Sequence, residues 1–128
     1  MGTSARLKEG DQVLLKDLFY GMMLPSGNDA ALTLAEYYGN QLKQAYLYGS
    51  FNKKLLKSDT DERIKLRRPI SCFLYYMNKR AKKLGMYNSK YANPHGLMNK
   101  KNVSTAEDMV KLCIECWKNQ IFRKVCGT

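Results

Sequence analysis

Apolar residues recur at helical spacing along four separate stretches of this 128-residue chain. Positions three or four apart lie on one face of a helix, so each stripe predicts an amphipathic helix packed against a core. The four stripes are Leu15, Leu18, Phe19 and Met22; Ala31, Leu34, Ala35, Tyr38 and Leu42; Ile70, Phe73, Leu74, Met77, Ala81 and Leu84; and Met109, Leu112, Cys113, Cys116 and Trp117. The chain is therefore predicted to be mainly α-helical.

Turn and cap residues set the predicted ends of these helices. Pro25 stops the first helix, because proline lacks an amide hydrogen and its ring clashes with the preceding turn. Gly85 follows the third stripe as a predicted C-terminal cap. Ser104 and Glu107 have the spacing of a capping box, which predicts that the fourth helix begins there. Only residues 12–14 and 88–91 have the composition of short extended segments.

Composition fits one folded domain over residues 1–128, with 45% apolar and 26% charged residues. No apolar run approaches the roughly 20 residues that span a bilayer, and the first residues lack the apolar core of a secretory signal. The net charge of +11 predicts attraction to an anionic partner, or reflects a lysine-rich proteome.

Residues 41–69 form a predicted basic insertion within this domain, with eight basic residues against three acidic ones. Tyr46, Tyr48 and Phe51 lie among its lysines, a composition that can stack on nucleic-acid bases or sit at an anionic membrane surface. A solvated surface helix with a tail explains the same pattern and is the simpler interpretation.

The four cysteines are too few for a disulfide framework in a chain of this length. Cys113 and Cys116 have C-x-x-C spacing, but a zinc site needs two further ligands, and His95 is the only histidine in the sequence. Both cysteines fall on the apolar face of the predicted helix. We therefore expect buried thiols and no metal or other cofactor, with a redox or metal role for this pair as the alternative.

The turn between the first two helices carries the candidate chemistry. Ser26 and Asn28 lie two residues apart, directly after Pro25, so a hydroxyl and a carboxamide leave the same tight corner. A corner held by two packed helices can align a substrate and support proton transfer. The alternative is that Ser26 or Asn28 caps the second helix, which is predicted to begin near Asp29.

Five ordered blocks of the sequence resemble the serine D-alanyl-D-alanine carboxypeptidases, low-molecular-mass penicillin-binding proteins related to the serine β-lactamases. The blocks are residues 17–31, 34–37, 77–86, 93–97 and 104–109, and residues 119–124 resemble the closing helix of the family. The resemblance covers most of residues 2–39 and 70–126. It implies the helical subdomain of the β-lactamase/transpeptidase-like fold, without most or all of the β-sheet.

The chemistry of this family uses the motifs Ser-x-x-Lys, Ser-x-Asn and Lys-Thr-Gly. Residues 26–28 match the second motif, and the resemblance implies that Ser26 relays a proton near the nucleophile while Asn28 holds the substrate's amide carbonyl. Ser50 and Lys53 spell the first motif but follow Ser-x-Asn instead of preceding it, and about one accidental match is expected from the composition. No Lys-Thr-Gly occurs in the sequence.

A segment with one of three motifs is expected to be inactive alone, because acyl transfer needs a nucleophile and an oxyanion site together. The resemblance implies a peptidoglycan stem peptide or penicillin as ligand once the sheet is supplied, in a family that is extracytoplasmic. Helices without their sheet expose apolar surface, so self-association is also expected. The alternative function is a non-enzymatic basic module that binds nucleic acid or an anionic surface through residues 41–69. His95 is expected to pin its loop by hydrogen bonds.

Overall fold

The computed structural model describes residues 2–48 and 68–128. These two ranges contain five α-helices: α1 (Leu15–Met23), α2 (Asn28–Tyr48), α3 (Pro69–Lys83), α4 (Ala106–Trp117) and α5 (Gln120–Cys126). The one β-bridge in the same ranges joins Lys90 to Val103 in antiparallel orientation. The predicted mainly helical fold is confirmed. The extended segment predicted at residues 88–91 contributes one side of the bridge, whereas residues 12–14 have no regular structure.

Helices α1 and α2 share the first cluster of buried side chains. Leu18 on α1 packs with Ala30 and Leu34 on α2, and Phe19 and Tyr38 cover this cluster from its edges. These residues belong to the two predicted stripes or border them. Burial of such apolar side chains is the main source of helix stability in water, because an isolated helix of this length is marginal.

Helices α2 and α3 make the most extensive helix–helix contact among the described residues. Gly39 lies where they approach, because a Cβ atom placed on it would lie 1.9 Å from the Pro69 carbonyl oxygen. A main-chain atom cannot move aside as a flexible side chain can, so the approach requires glycine. The small residues Ala35, Cys72 and Ala81 are buried on these two helices.

Helix α3 ends in the predicted glycine cap. Gly85 has a φ of +79°, and its amide donates to the Lys82 carbonyl at 3.0 Å, while the Met86 amide donates to the Ala81 carbonyl at 2.9 Å. These two hydrogen bonds form a Schellman motif. Met86 is fully buried, so the cap also turns the chain back into the core.

The predicted start of α4 is wrong by one residue. Thr105, and not Ser104, is the N-cap, and its hydroxyl accepts a hydrogen bond from the Asp108 amide at 3.2 Å. The Asp108 carboxylate is buried and accepts from the Asn88 amide at 3.0 Å and from the Ser89 hydroxyl at 2.7 Å. A buried carboxylate therefore ties α4 to the loop before it.

The prediction of two buried thiols on α4 is also wrong. Cys113 is exposed and Cys116 is only partly buried, and Trp117, assigned to the same buried face, is 61% exposed. The reason is the buried Asp108, which places the inner face of α4 along Asp108, Leu112 and Cys116. Apolar periodicity considers only apolar residues and therefore leaves out a buried aspartate. As a result, the predicted buried face of α4 is rotated around the helix away from the observed one.

Within residues 2–48 and 68–128, no helix is both long enough and apolar enough to cross a bilayer. The same ranges hold no group of three or more histidine, cysteine, aspartate or glutamate side chains suited to a metal ion. Most of the predicted basic insertion lies outside the described residues, as do Ser50 and Lys53. Residues 41–48, the described start of the insertion, continue α2.

Candidate functional site

Ser26 and Asn28 lie in the turn that joins α1 to α2, and α2 begins at Asn28. Ser26 is exposed and has a φ of +55°, a left-handed conformation that is uncommon for a residue with a Cβ atom. The Gly27 amide donates to the Gly21 carbonyl at 3.1 Å, which folds the turn back onto α1. The turn thus holds Ser26 at the surface on a backbone conformation of the kind that clusters at functional sites.

Gly27 fills a position that no larger residue fits. A Cβ atom placed there would lie 2.4 Å from the Gly21 carbonyl oxygen and 3.0 Å from the Ala5 amide nitrogen. Both neighbours are main-chain atoms, one on α1 and one in the N-terminal segment. The glycine of the Ser-x-Asn motif therefore allows three segments of backbone to meet.

Residues 2–7 cross this corner, and we refer to them as the strap. The Thr3 carbonyl accepts two hydrogen bonds from Asn28, one from its main-chain amide at 3.0 Å and one from its side-chain Nδ2 at 2.9 Å. The Thr3 hydroxyl donates to the Ser26 carbonyl. One residue of the strap therefore binds both candidate residues.

The Asp29 carboxylate fastens the strap to α2. It accepts hydrogen bonds from the Ala5 amide at 2.7 Å, the Leu7 amide at 3.0 Å, the Ser4 hydroxyl at 2.8 Å and the Ala30 amide at 3.0 Å. Burial alone would raise the pKa of Asp29, but these hydrogen bonds favour the charged form and hold the pKa well below its usual range. Asp29 is consequently a carboxylate at neutral pH.

The alternative interpretation, in which Ser26 or Asn28 caps α2, does not describe this corner. The Asn28 side chain donates to the strap, and no described amide in the first turn of α2 donates to either side chain. Asp29 instead accepts from the Ala30 amide in that turn. Neither candidate side chain therefore caps α2 among the described hydrogen bonds.

The loop of residues 93–97 borders the same corner. A Cβ atom placed on Gly2 would lie 2.0 Å from Asn28 Nδ2 and 2.9 Å from Leu97 Cδ2, so the strap, the candidate asparagine and this loop meet at Gly2. His95 Nδ1 accepts a hydrogen bond from the Leu97 amide at 3.1 Å. The prediction that His95 pins its own loop is confirmed.

The sequence pattern identified Ser26 and Asn28 but not the residues that hold them. Ser4 and Asp29 are 25 positions apart, and hydrophobic periodicity says nothing about such a contact. The available signal was the Asp29 carboxylate directly after the motif, together with Gly2, whose lack of a side chain leaves room for Asn28.

Comparison with known proteins places this fold in a family. Residues 70–126 match the peptidase S11 family, described as D-alanyl-D-alanine carboxypeptidase. The D-alanyl-D-alanine carboxypeptidase of Streptomyces sp. strain K15 is 33% identical over 126 residues, which cover 98% of this chain and 36% of that protein. The D-alanyl-D-alanine carboxypeptidase DacF of Bacillus subtilis is 28% identical over 127 residues, covering 99% of this chain and 25% of that protein.

Solved structures agree with the sequence matches. The crystal structure of the Streptomyces K15 DD-transpeptidase has a TM-score of 0.71 at 32% identity, covering 97% of this chain and 39% of that chain. The D-alanyl-D-alanine carboxypeptidase DacD from Francisella tularensis has a TM-score of 0.68 at 30% identity, covering 98% and 23%.

These matches define a helical piece of the β-lactamase/transpeptidase-like fold. The chain belongs to the D-alanyl-D-alanine carboxypeptidase family, and it spans 25% to 36% of the length of the two curated relatives described above. Neither the sequence relatives nor the solved structures support nucleic-acid binding or self-association.

Proposed function

We propose that this chain is the helical part of a serine-type D-alanyl-D-alanine carboxypeptidase acting on peptidoglycan stem peptides, and that Ser26 and Asn28 line its substrate cleft. The observation that carries the proposal is the corner itself. Ser26 is exposed on a left-handed turn, and the strap holds Asn28 from one side through the Thr3 carbonyl. The relatives that match nearly the whole chain are named for this activity.

The two side chains offer the groups that cleavage of a peptide amide requires. The Asn28 carboxamide has two amide hydrogens and one carbonyl oxygen. One hydrogen binds Thr3, so the second hydrogen remains to donate to a substrate carbonyl. The Ser26 hydroxyl both donates and accepts, so it can pass a proton between the nucleophile and the leaving nitrogen.

In this proposal the nucleophile and the oxyanion donors come from sequence outside these 128 residues. Ser-x-x-Lys does not precede the Ser-x-Asn motif here, and Lys-Thr-Gly does not occur. Loss of the nucleophile alone lowers the rate of a serine peptidase by about a millionfold. The isolated chain is therefore expected to retain no labelled penicillin after denaturation. A covalent adduct would contradict the proposal that the nucleophile lies outside these 128 residues.

A chimera tests the positive half of the proposal. Residues 2–128 replace the corresponding segment of the Streptomyces K15 enzyme, whose remaining chain completes the fold, and acylation by labelled penicillin is followed over time. Ser26→Ala and Asn28→Ala are each expected to slow acylation by at least about 100-fold, the usual contribution of a positioned proton-transfer group.

The matched control is Ser71→Ala, which removes an exposed hydroxyl at the start of α3, away from the corner. This variant is expected to acylate at the rate of the parent chimera. A folded chimera in which Ser26→Ala and Asn28→Ala also keep the parent rate would rule out a role for this corner in the cleft.

A further inference from the structure

The strap determines which end of the Asn28 carboxamide faces it. A carboxamide that rotates about its last bond can present either its oxygen or its NH2 group at a given point, and the two have nearly the same shape. The Thr3 carbonyl oxygen lies 2.9 Å from Asn28 Nδ2. A carbonyl only accepts hydrogen bonds, so it binds the NH2 end and rejects the oxygen. The contact selects one of two orientations.

The Thr3 carbonyl is itself held from two directions. It accepts the Asn28 main-chain amide at 3.0 Å, and the Thr3 hydroxyl donates to the Ser26 carbonyl. The neighbouring Gly2 lies so close to the carboxamide that a Cβ atom on it would approach Nδ2 to 2.0 Å. The carbonyl thus has little freedom to turn away from Asn28 while the strap is in place.

Asp29 keeps the strap in place through the next residues of the chain. Its carboxylate accepts from the Ser4 hydroxyl and from the Ala5 and Leu7 amides at 2.7 to 3.0 Å. Hydrogen bonds to a charged acceptor are roughly twice as strong as neutral ones. No described hydrogen bond joins Asp29 directly to the Asn28 side chain, so any effect of Asp29 on that side chain passes through the strap.

We propose that Asp29 and the main chain of Thr3 are positioning groups for Asn28. They hold its carboxamide with one amide hydrogen on the strap, and they leave the Oδ1 atom and the second amide hydrogen for a ligand. Among the described residues, no hydrogen bond occupies Asn28 Oδ1. The inference rests on the proposed role of Asn28 in the cleft, because a fixed orientation matters only for a side chain that binds something.

Asp29→Asn is the informative substitution. It keeps the shape of the side chain but replaces one carboxylate oxygen by an NH2 group. That group cannot accept from the two donors that bind the replaced oxygen, which are Ala5 and Ala30 at Oδ1 or Ser4 and Leu7 at Oδ2. The strap is therefore expected to loosen, and the Asn28 carboxamide is expected to regain rotation about its last bond.

Nuclear magnetic resonance of the full chain labelled with nitrogen-15 measures this directly. In the wild type, the two Asn28 side-chain hydrogens are expected to be well separated in chemical shift, and the one bound to Thr3 is expected to exchange slowly with water. In Asp29→Asn, the separation is expected to fall toward that of an exposed asparagine. Exchange is expected to accelerate at least about fivefold, the change that loss of one hydrogen bond produces.

Two controls separate positioning from a general loss of stability. Asp17→Asn makes the same change of charge at an exposed position in the first turn of α1 and is expected to leave the Asn28 signals unchanged. Asp29→Glu retains a carboxylate and is expected to restore part of the wild-type separation. The main-chain amide of buried Leu34 reports on α2 itself and is expected to keep its wild-type chemical shift.

The positioning inference is overturned if Asp29→Asn leaves the Asn28 side-chain signals as they are in the wild type. It is equally overturned if the Leu34 amide signal shifts together with those of Asn28, because the effect is then a rearrangement of α2 as a whole. Should Asp29→Asn fail to fold, Ser4→Ala decides, since it removes one donor to the carboxylate and is expected to give a smaller change of the same kind. These measurements use no substrate, so an inactive chimera with a fixed carboxamide would refute the proposed function alone.

Discussion

The corner between α1 and α2 and the outer surface of α4 and α5 differ in how fully other residues of this chain hydrogen-bond to them or pack against them. In the corner, Thr3 accepts a hydrogen bond from Asn28 and Asp29 accepts hydrogen bonds from the strap, over distances of 2.7 to 3.0 Å. On α4 and α5, Ile114, Trp117 and Ile121 each have 58% to 61% of their surface exposed. The corner is complete within this chain, whereas the outer face of α4 and α5 has the composition of a surface that another part of a fold covers.

A groove of about 620 Å³ adds to this contrast. It lies between α1, α3, α4 and α5, and its lining includes the apolar side chains of Phe19, Leu84, Leu112 and Phe122. The chain covers 36% of its Streptomyces relative, so we expect the packing of this end to depend on the remainder of the fold far more than the corner does.

The largest effect is expected from Gly27→Ala, which attacks the corner directly. The new methyl group would overlap the Gly21 carbonyl oxygen, at 2.4 Å, and the Ala5 amide nitrogen, at 3.0 Å. Because neither neighbour is a flexible side chain, we expect the free energy of unfolding to fall by about 3 kcal/mol, at the upper end for overpacking. Urea denaturation followed by circular dichroism measures the change.

Gly10→Ala is the matched control for Gly27→Ala. Gly10 has a φ of +88° and no atom within 4 Å of an added Cβ atom, so its substitution costs backbone strain without a clash. We expect a loss of about 1 kcal/mol there. Equal losses at the two glycines would mean that the close approach in the corner contributes nothing.

The next largest effect concerns Asp29 and pH. Hydrogen bonds to a charged group contribute about 1.5–3 kcal/mol each when one partner is removed, and we expect Asp29→Asn to lower the free energy of unfolding by about 2 kcal/mol at neutral pH. The pKa of Asp29 is depressed in the folded state, so this stabilisation is present above the unfolded pKa of about 3.9 and is lost as pH falls toward the folded pKa.

The stability difference between the wild type and Asp29→Asn is therefore expected to be constant from neutral pH down to about pH 5 and to shrink below about pH 4. Thermal unfolding at a series of pH values measures it, and taking the difference cancels the titration of other carboxyl groups. A difference that grows as pH falls would have the wrong sign and would show that Asp29 is not stabilised as a carboxylate.

The same contrast explains what the sequence predicts and what it does not. The stripes on α1, α2 and α3 are largely correct because partners within the chain bury or partly bury their apolar side chains, with Leu15, 42% exposed, as the exception on α1. Gly85 is correct because a positive φ favours glycine. The corner is found through its motif, but its strap is not, because contacts between residues 22 to 25 positions apart leave no local pattern.

Helix α4 shows the opposite failure. Its apolar residues exceed what this chain buries, and one inward position is the polar Asp108. Periodicity therefore centres the predicted face between Leu112 and Cys113, while the structure centres it on Asp108, Leu112 and Cys116. The capping box is misassigned for the same reason, since Thr105 and Asp108 have the same spacing as Ser104 and Glu107.

The smallest effect is expected at the cysteines. Their labelling does not measure stability but reports how accessible each thiol is, and hence whether the outer face of α4 is covered. Cys113 is exposed beside Ile114 and Trp117, Cys116 is partly buried and Cys72 is buried. Burial raises the pKa of Cys116, with smaller contributions from nearby Cys113 and Glu115. Each unit of that increase lowers the reactive thiolate fraction about tenfold. In the isolated chain, alkylation followed by mass spectrometry is expected to modify Cys113 before Cys116, and Cys72 last.

The same labelling in the K15 chimera tests whether the outer face of α4 is covered when the fold is complete. If the remainder of the fold packs on this face, Cys113 is expected to become protected while the order of Cys116 and Cys72 is kept. Cys126, which is also exposed but lies at the end of α5, serves as the internal reference for reagent access. Equal labelling of Cys113 in the isolated chain and in a folded chimera would mean that this apolar face is a true outer surface. The corner and α4 would then differ in composition but not in their dependence on the remainder of the K15 fold.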